Sequence, residues 1–96
     1  MNPYLAIAAL IAGGLHGVEH ALPLPPPYIG NAYEAESARV PTSLAEAVEL
    51  FDQSAVARAA FTDEVVDHYV NAGRVEVLAF SAAVTDWERF RGFERL

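Results

Sequence analysis

The chain has 96 residues, 53% of them hydrophobic and 20% charged, with a net charge of −7. A domain of this size buries roughly 60–65% of its unfolded surface, so such an apolar composition predicts an apolar face for a partner or for self-association. The acidic balance argues against nucleic acid, which takes a basic patch, and the lack of Cys excludes disulfides and thiol catalysis. A reducing cytoplasm is the expected compartment, since no targeting signal contradicts it.

In chain order, the first element is the apolar stretch within residues 1–21. Asn2 followed by Pro3 predicts a helix start, because Asn accepts from free backbone N–H groups and Pro needs none at the first helical position. No charged residue occurs from Tyr4 to Val18. Tyr4, Leu5, Ile7, Leu10, Ile11, Leu15 and Val18 are the large residues, and Ala and Gly fill the other faces. A helix apolar all round is enclosed by other protein or lies in a membrane. The uncharged run is short of the roughly 17–25 residues that span a bilayer, so burial in a larger core is the expectation. Gly13, Gly14 and Gly17 each cost roughly 1 kcal/mol in a helix interior, which predicts close approach by another backbone.

His16-Gly17-Val18-Glu19-His20 fits the HxxEH pattern of inverted zinc peptidases. Two His one turn apart can reach one metal, with Glu19 beside them as general base, and Glu46, Glu49, Glu64 or His68 could complete the set. A pattern with three fixed positions is a weak signal, Gly17 and the Pro-rich exit do not give the rigid helix such a site wants, and polar residues leaving a core at a helix end are the better reading. A small zinc protein using His16, Glu19 and His20 is therefore one alternative function.

Residues 22–42 form a Pro-rich connector. Pro at 23, 25, 26 and 27 forbids a helix and favours polyproline II. Pro23-Leu24-Pro25-Pro26 holds a PxxP that could be an SH3-type ligand, but a rigid strap over a protein surface is the simpler reading. Gly30-Asn31 marks a turn.

Residues 43–96 read as helical. Ser43-Leu44-Ala45-Glu46 is a capping box, followed by a stripe of Leu44, Val48 and Phe51. Ser54 caps a short helix from Ala55 to Ala60. Thr62 caps the longest helix, about Asp63 to Val84, with Asn71-Ala72-Gly73 as a weak point. Thr85-Asp86-Trp87-Glu88 is a second capping box opening a terminal helix, where Trp87, Phe90 and Phe93 share a face continued by Leu96. Arg89, Arg91 and Arg95 interleave with these aromatics, and the acidic whole makes a packed aromatic face with solvated Arg the better reading than a nucleic-acid strip. No strand, phosphate loop or nucleophile motif occurs.

The order of these motifs resembles the C-terminal part of the glutamine synthetase family. Asn2-Pro3-Tyr4-Leu5-Ala6 through Gly14-Leu15-His16-Gly17-Val18-Glu19 is similar to the NPYLA helix and its GLxGI continuation. Gly30-Asn31-Ala32-Tyr33-Glu34 resembles an N-x-Y-D/E loop, and Pro41-Thr42-Ser43-Leu44-Ala45-Glu46-Ala47 a P-x-S-L-x-E-A helix start. Phe61-Thr62-Asp63-Glu64 with Tyr69, and Val84-Thr85-Asp86-Trp87-Glu88-Arg89 to Leu96, resemble the last helices. The match is collinear over the whole chain and looks closer to enzymes that join glutamate to amines or polyamines than to the housekeeping enzyme.

The resemblance implies an all-α segment of an ATP-dependent carboxylate–amine ligase, in which a glutamyl phosphate forms on two divalent metals, Mg or Mn, and an amine attacks it. It also implies that the metal, phosphate and ammonium groups precede the NPYL helix, so no catalytic or cofactor-binding residue carries over. Asn2 and Pro3 follow shortly after the last active-site Arg of that family and help place it. Tyr33 matches a position adenylylated in some bacterial members, but Glu34-Ala35-Glu36 replaces the usual Asp-Leu-Pro, which speaks against modification. The chain alone is expected to be structural and inactive. Its expected partners are itself or the catalytic part of the ligase. A marginally stable truncated product is a further expectation, and a stand-alone helical interaction module is the other alternative function.

Overall fold

The computed structural model describes residues 2–34, 38–93 and 95. Met1, Ala35, Glu36 and Leu96, which entered the sequence reading, lie outside them. The order of elements is α1 (Pro3–Glu19), a 3-10 turn (Ala32–Glu34), α2 (Leu44–Asp52), α3 (Ala55–Ala82) and α4 (Asp86–Phe93). Among the described residues there is no strand, so the fold is all-α, as the segment resemblance implies.

Local chemistry sets the helix starts. The Asn2 side chain accepts from the Tyr4 and Leu5 backbone N–H groups at 3.0 and 3.4 Å, and Pro3 sits where no donor is needed. Ser43 accepts from the Glu46 N–H at 3.2 Å. The Glu46 carboxylate closes the reciprocal bond one residue earlier than a capping box predicts, on the Thr42 N–H at 3.1 Å. Ser54 caps α3 through the Ala57 N–H. Thr85 and Glu88 exchange both bonds of the second box, at 2.8 and 3.3 Å, and the bond from the Thr85 N–H holds the Glu88 carboxyl below its usual range.

The end of α1 is a Schellman turn. The Leu22 N–H reaches the Gly17 carbonyl and the Ala21 N–H the Val18 carbonyl, at 3.0 and 3.2 Å. This places Ala21 in the left-handed region at φ 46°, where Gly is the usual occupant. The connector then runs without regular structure from Leu22 to Ile29.

The two helices read as Ala55 to Ala60 and Asp63 onward are the two halves of α3, which meet at a kink at the non-helical Thr62. Thr62 was expected to cap the second half. Instead it adopts φ 70°, ψ 157°, a region that only Gly enters freely. The stretch Asn71-Ala72-Gly73, read as a weak point, is continuous helix. A Cβ on Gly73 would lie 2.5 Å from Val48 Cγ2. Gly73 is therefore a point of close approach between α2 and α3.

The core is small. Val48, Val66 and Val70 are its buried residues among those described, with Phe51, Ala57 and Phe61 packed around them. α3 packs against both α2 and α1, and α4 packs against no other helix among the described residues. The radius of gyration is 18.5 Å, against about 12.5 Å for a compact chain of this length. The accessible surface is 8583 Å², where a compact protein of this mass exposes about 5,400 Å². These helices are splayed around an incomplete core.

Candidate functional site

The feature that most needs an explanation is the exterior of α1. Its sequence predicts a helix enclosed by protein, yet none of its residues is buried by the rest of this chain. Tyr4, Leu10 and Val18 are 83, 77 and 78% exposed. Nothing lies within 4 Å of where a Cβ would stand on Gly13, Gly14 or Gly17. The close backbone approach predicted from those glycines is not made by any element of this chain. What the chain does supply is one flank. The N-terminal half of α1 faces a cavity of about 380 Å³ bounded by Phe51, Phe61, Val65 and Tyr69. The C-terminal half, at Ala12, Leu15, His16 and Glu19, faces Val56, Ala59 and Ala60. α1 thus lies across the bend of α3, half-seated, with its remaining faces open.

The HxxEH residues sit at the end of this helix. His20 is the C-cap, its Nδ1–H donates to the His16 carbonyl at 2.9 Å, and the two imidazole rings stack with centroids 4.0 Å apart. Opposite His16 and Glu19 stand Val56, Ala59 and Ala60, which offer no donor atoms. Glu46 and Glu49 lie on α2, while Glu64 and His68 lie on α3 beyond the bend. Among the described residues no three His, Asp or Glu side chains gather in a group able to hold a metal. Tyr33 lies in the 3-10 turn, 96% exposed. Its N–H is tied to the Asn31 side chain, whose amide donates to Glu34.

Sequence reasoning missed the charged cluster between α2 and α3. Arg58 donates to the Asp52 carbonyl at 2.8 Å and to three carboxylates, those of Asp52, Asp63 and Asp67. Arg74 joins Glu49 and Asp52 at 3.0 and 2.8 Å. Asp52 therefore stands between two guanidiniums. The hydrogen bond from Arg74 is the largest influence holding its carboxyl below the usual range, with burial opposing and Arg58 adding to it. Both Arg residues are raised by their carboxylate partners. The pairs join residues up to 25 apart in sequence, beyond the reach of a local pattern.

Residues 1–91 match the family description "Glutamine synthetase, catalytic domain". The chain belongs to the glutamine synthetase family. It corresponds to a C-terminal helical segment of that catalytic domain, and the all-α fold fits this placement. Three glutamine synthetase family relatives define its surroundings. The gamma-glutamylethanolamide synthetase of Streptomyces coelicolor is 62% identical over 96 residues, covering 100% of this chain and 21% of the relative. The type-1 glutamine synthetase 2 of Dictyostelium discoideum is 41% identical over 99 residues, covering 98% and 19%. The glutamate–isopropylamine ligase of a Pseudomonas species is 41% identical over 93 residues, covering 94% and 20%. The chain thus spans about a fifth of the length of these family members. Among the described residues no helix is long and apolar enough to cross a membrane.

Proposed function

We propose that this chain is the structural C-terminal part of an ATP-dependent ligase that joins glutamate to an amine, and that α1 docks onto the catalytic part of the same enzyme. The observation that carries the proposal is the uncovered exterior of α1. A helix without charge from Tyr4 to Val18, with three glycines that nothing among the described residues approaches, is shaped for a partner backbone at close range. The occupant we assign is the remainder of the ligase, because the chain covers only about a fifth of each relative. The identity to a gamma-glutamylethanolamide synthetase and a glutamate–isopropylamine ligase supports an amine, rather than ammonia, as the acceptor.

The residues present do not fit the nucleotide and divalent metals that such a reaction uses. His16 and Glu19 face alanines and a valine, and Arg58 and Arg74 are committed to carboxylates. ATP, with Mg or Mn, belongs in this reading to the catalytic part, and the contribution of this chain is support. A cytoplasmic setting accompanies the reading.

The test is complementation. The chain and the catalytic part are produced separately and mixed, and γ-glutamyl transfer is followed with ethanolamine, isopropylamine and ammonia. Activity in the mixture alone, with a heteromeric complex by light scattering, is the expected outcome. Activity in the isolated chain would refute the structural role. A stable homo-oligomer that ignores the catalytic part would make the chain a self-associating module instead.

A further inference from the structure

The Arg58 cluster has a geometry that a continuous helix cannot hold. In an α-helix, residues five apart lie about 140° around the axis from one another, and residues nine apart about 180°, some 13.5 Å along it. Arg58 nevertheless pairs with both Asp63 and Asp67, at 2.7 and 3.0 Å. It reaches them because α3 turns at Thr62, between the cation and both partners. The same guanidinium holds the end of α2 through the Asp52 carboxylate and carbonyl. Thr62 itself is in a backbone region hostile to a residue with a Cβ. Its own conformation therefore opposes the bend, and something outside it keeps the bend in place.

We propose that Arg58 is a positioning residue that locks the bend of α3, and that the locked bend sets the seat of α1. α1 rests on both sides of the bend, on Val65 and Tyr69 beyond it and on Val56, Ala59, Ala60 and Phe61 before it. Straightening α3 moves one half of that seat away from the other. In this proposal the alternative to the bent form, in which three carboxylates share one cation, is a continuous helix from Ala55 to Ala82 in which that sharing is broken. The fork of an Arg meets this arrangement of acceptors, and the point charge of a Lys does not. This inference concerns the isolated chain and stands apart from the ligase reading.

The test measures the bend directly. The chain has no Cys, so Cys introduced at exposed Ala55 and Ala79 takes a pair of spin labels without background. A continuous helix places these Cα atoms about 36 Å apart, and the bent form places them closer. The native chain and Thr62→Gly are expected to share the short distance, since Gly accepts the conformation. Arg58→Gln and Arg58→Lys are each expected to move the distribution toward the long one, with helical content by circular dichroism maintained. Thr62→Ala is expected to do the same by favouring ordinary helical angles. Should Arg58→Gln fail to fold, Arg58→Lys carries the reading, and Arg58→Gln/Thr62→Gly is expected to return to the short distance because Gly removes the strain that Arg58 works against. Folded Arg58 variants that all keep the short distance would overturn the lock.

Discussion

At the scale of single residues, two positions carry conformations that their side chains resist. Ala21 and Thr62 have positive φ, and the cost at a position such as Thr62 is about 1–3 kcal/mol. Thr62→Gly should raise the stability of the chain by about 1 kcal/mol or more, read as a shift in the urea midpoint at unchanged slope. Ala21→Gly should act in the same direction, more weakly. Gly73 is the opposite case. Its helix position favours Ala by roughly 1 kcal/mol, but the added methyl would meet Val48 Cγ2 at 2.5 Å. Gly73→Ala should therefore destabilise by about 1–3 kcal/mol, and Val48→Ala should rescue part of the loss in a double-mutant cycle. Sequence alone locates the helix boundary near Thr62 but not its φ, because the contacts across the bend join residues that come together only after α2 and α3 have packed. It flags Gly73 as a weakness, when a helical Gly can equally signal a neighbour at close range.

At the scale of elements, the caps were legible because each is a side-chain oxygen accepting from a backbone N–H two or three residues on, as at Asn2, Ser54 and Thr85. The α2–α3 ion pairs were not, because Arg74 and Glu49 meet only after two helices have packed. Those pairs have a pH signature. The Asp52 carboxyl is held below 3.8 by Arg74 and Arg58, so its folded value lies under its unfolded one. Its stabilisation is then present in full above the unfolded value, and is lost as pH falls from about 3.8 through the lower folded value. Carbon NMR of the Asp52 carboxyl should show the depressed transition, and Arg74→Gln should bring it back up. Glycine in α1 gives a second test at this scale. Replacing Gly13, Gly14 and Gly17 by Ala meets no atom of this chain and gains roughly 1 kcal/mol of helix propensity at each site. The triple variant should thus be more helical alone, by circular dichroism, and should fail to complement the catalytic part. Unimpaired complementation would remove α1 as the docking element.

At the scale of the molecule, a core whose buried residues, among those described, are three valines under 8583 Å² of accessible surface is what the proposed docking to a catalytic part would complete. The isolated chain should bind an environment-sensitive dye through its open apolar faces, and lose that binding when the catalytic part is added. Family membership could be read from collinear motifs, whereas no pattern within the sequence shows what would cover the open faces of α1. The connector adds a kinetic consequence. Residues 22–29 are exposed and without regular structure, and their four prolines make them a semi-rigid spacer rather than a coil. Once α1 has found its berth, α2 to α4 arrive on a leash of fixed reach, and their engagement becomes a unimolecular event at an effective concentration set by that spacer. Assembly would then show one rate that scales with protein concentration and a second that does not, and lengthening the proline strap with Gly and Ser would slow only the second.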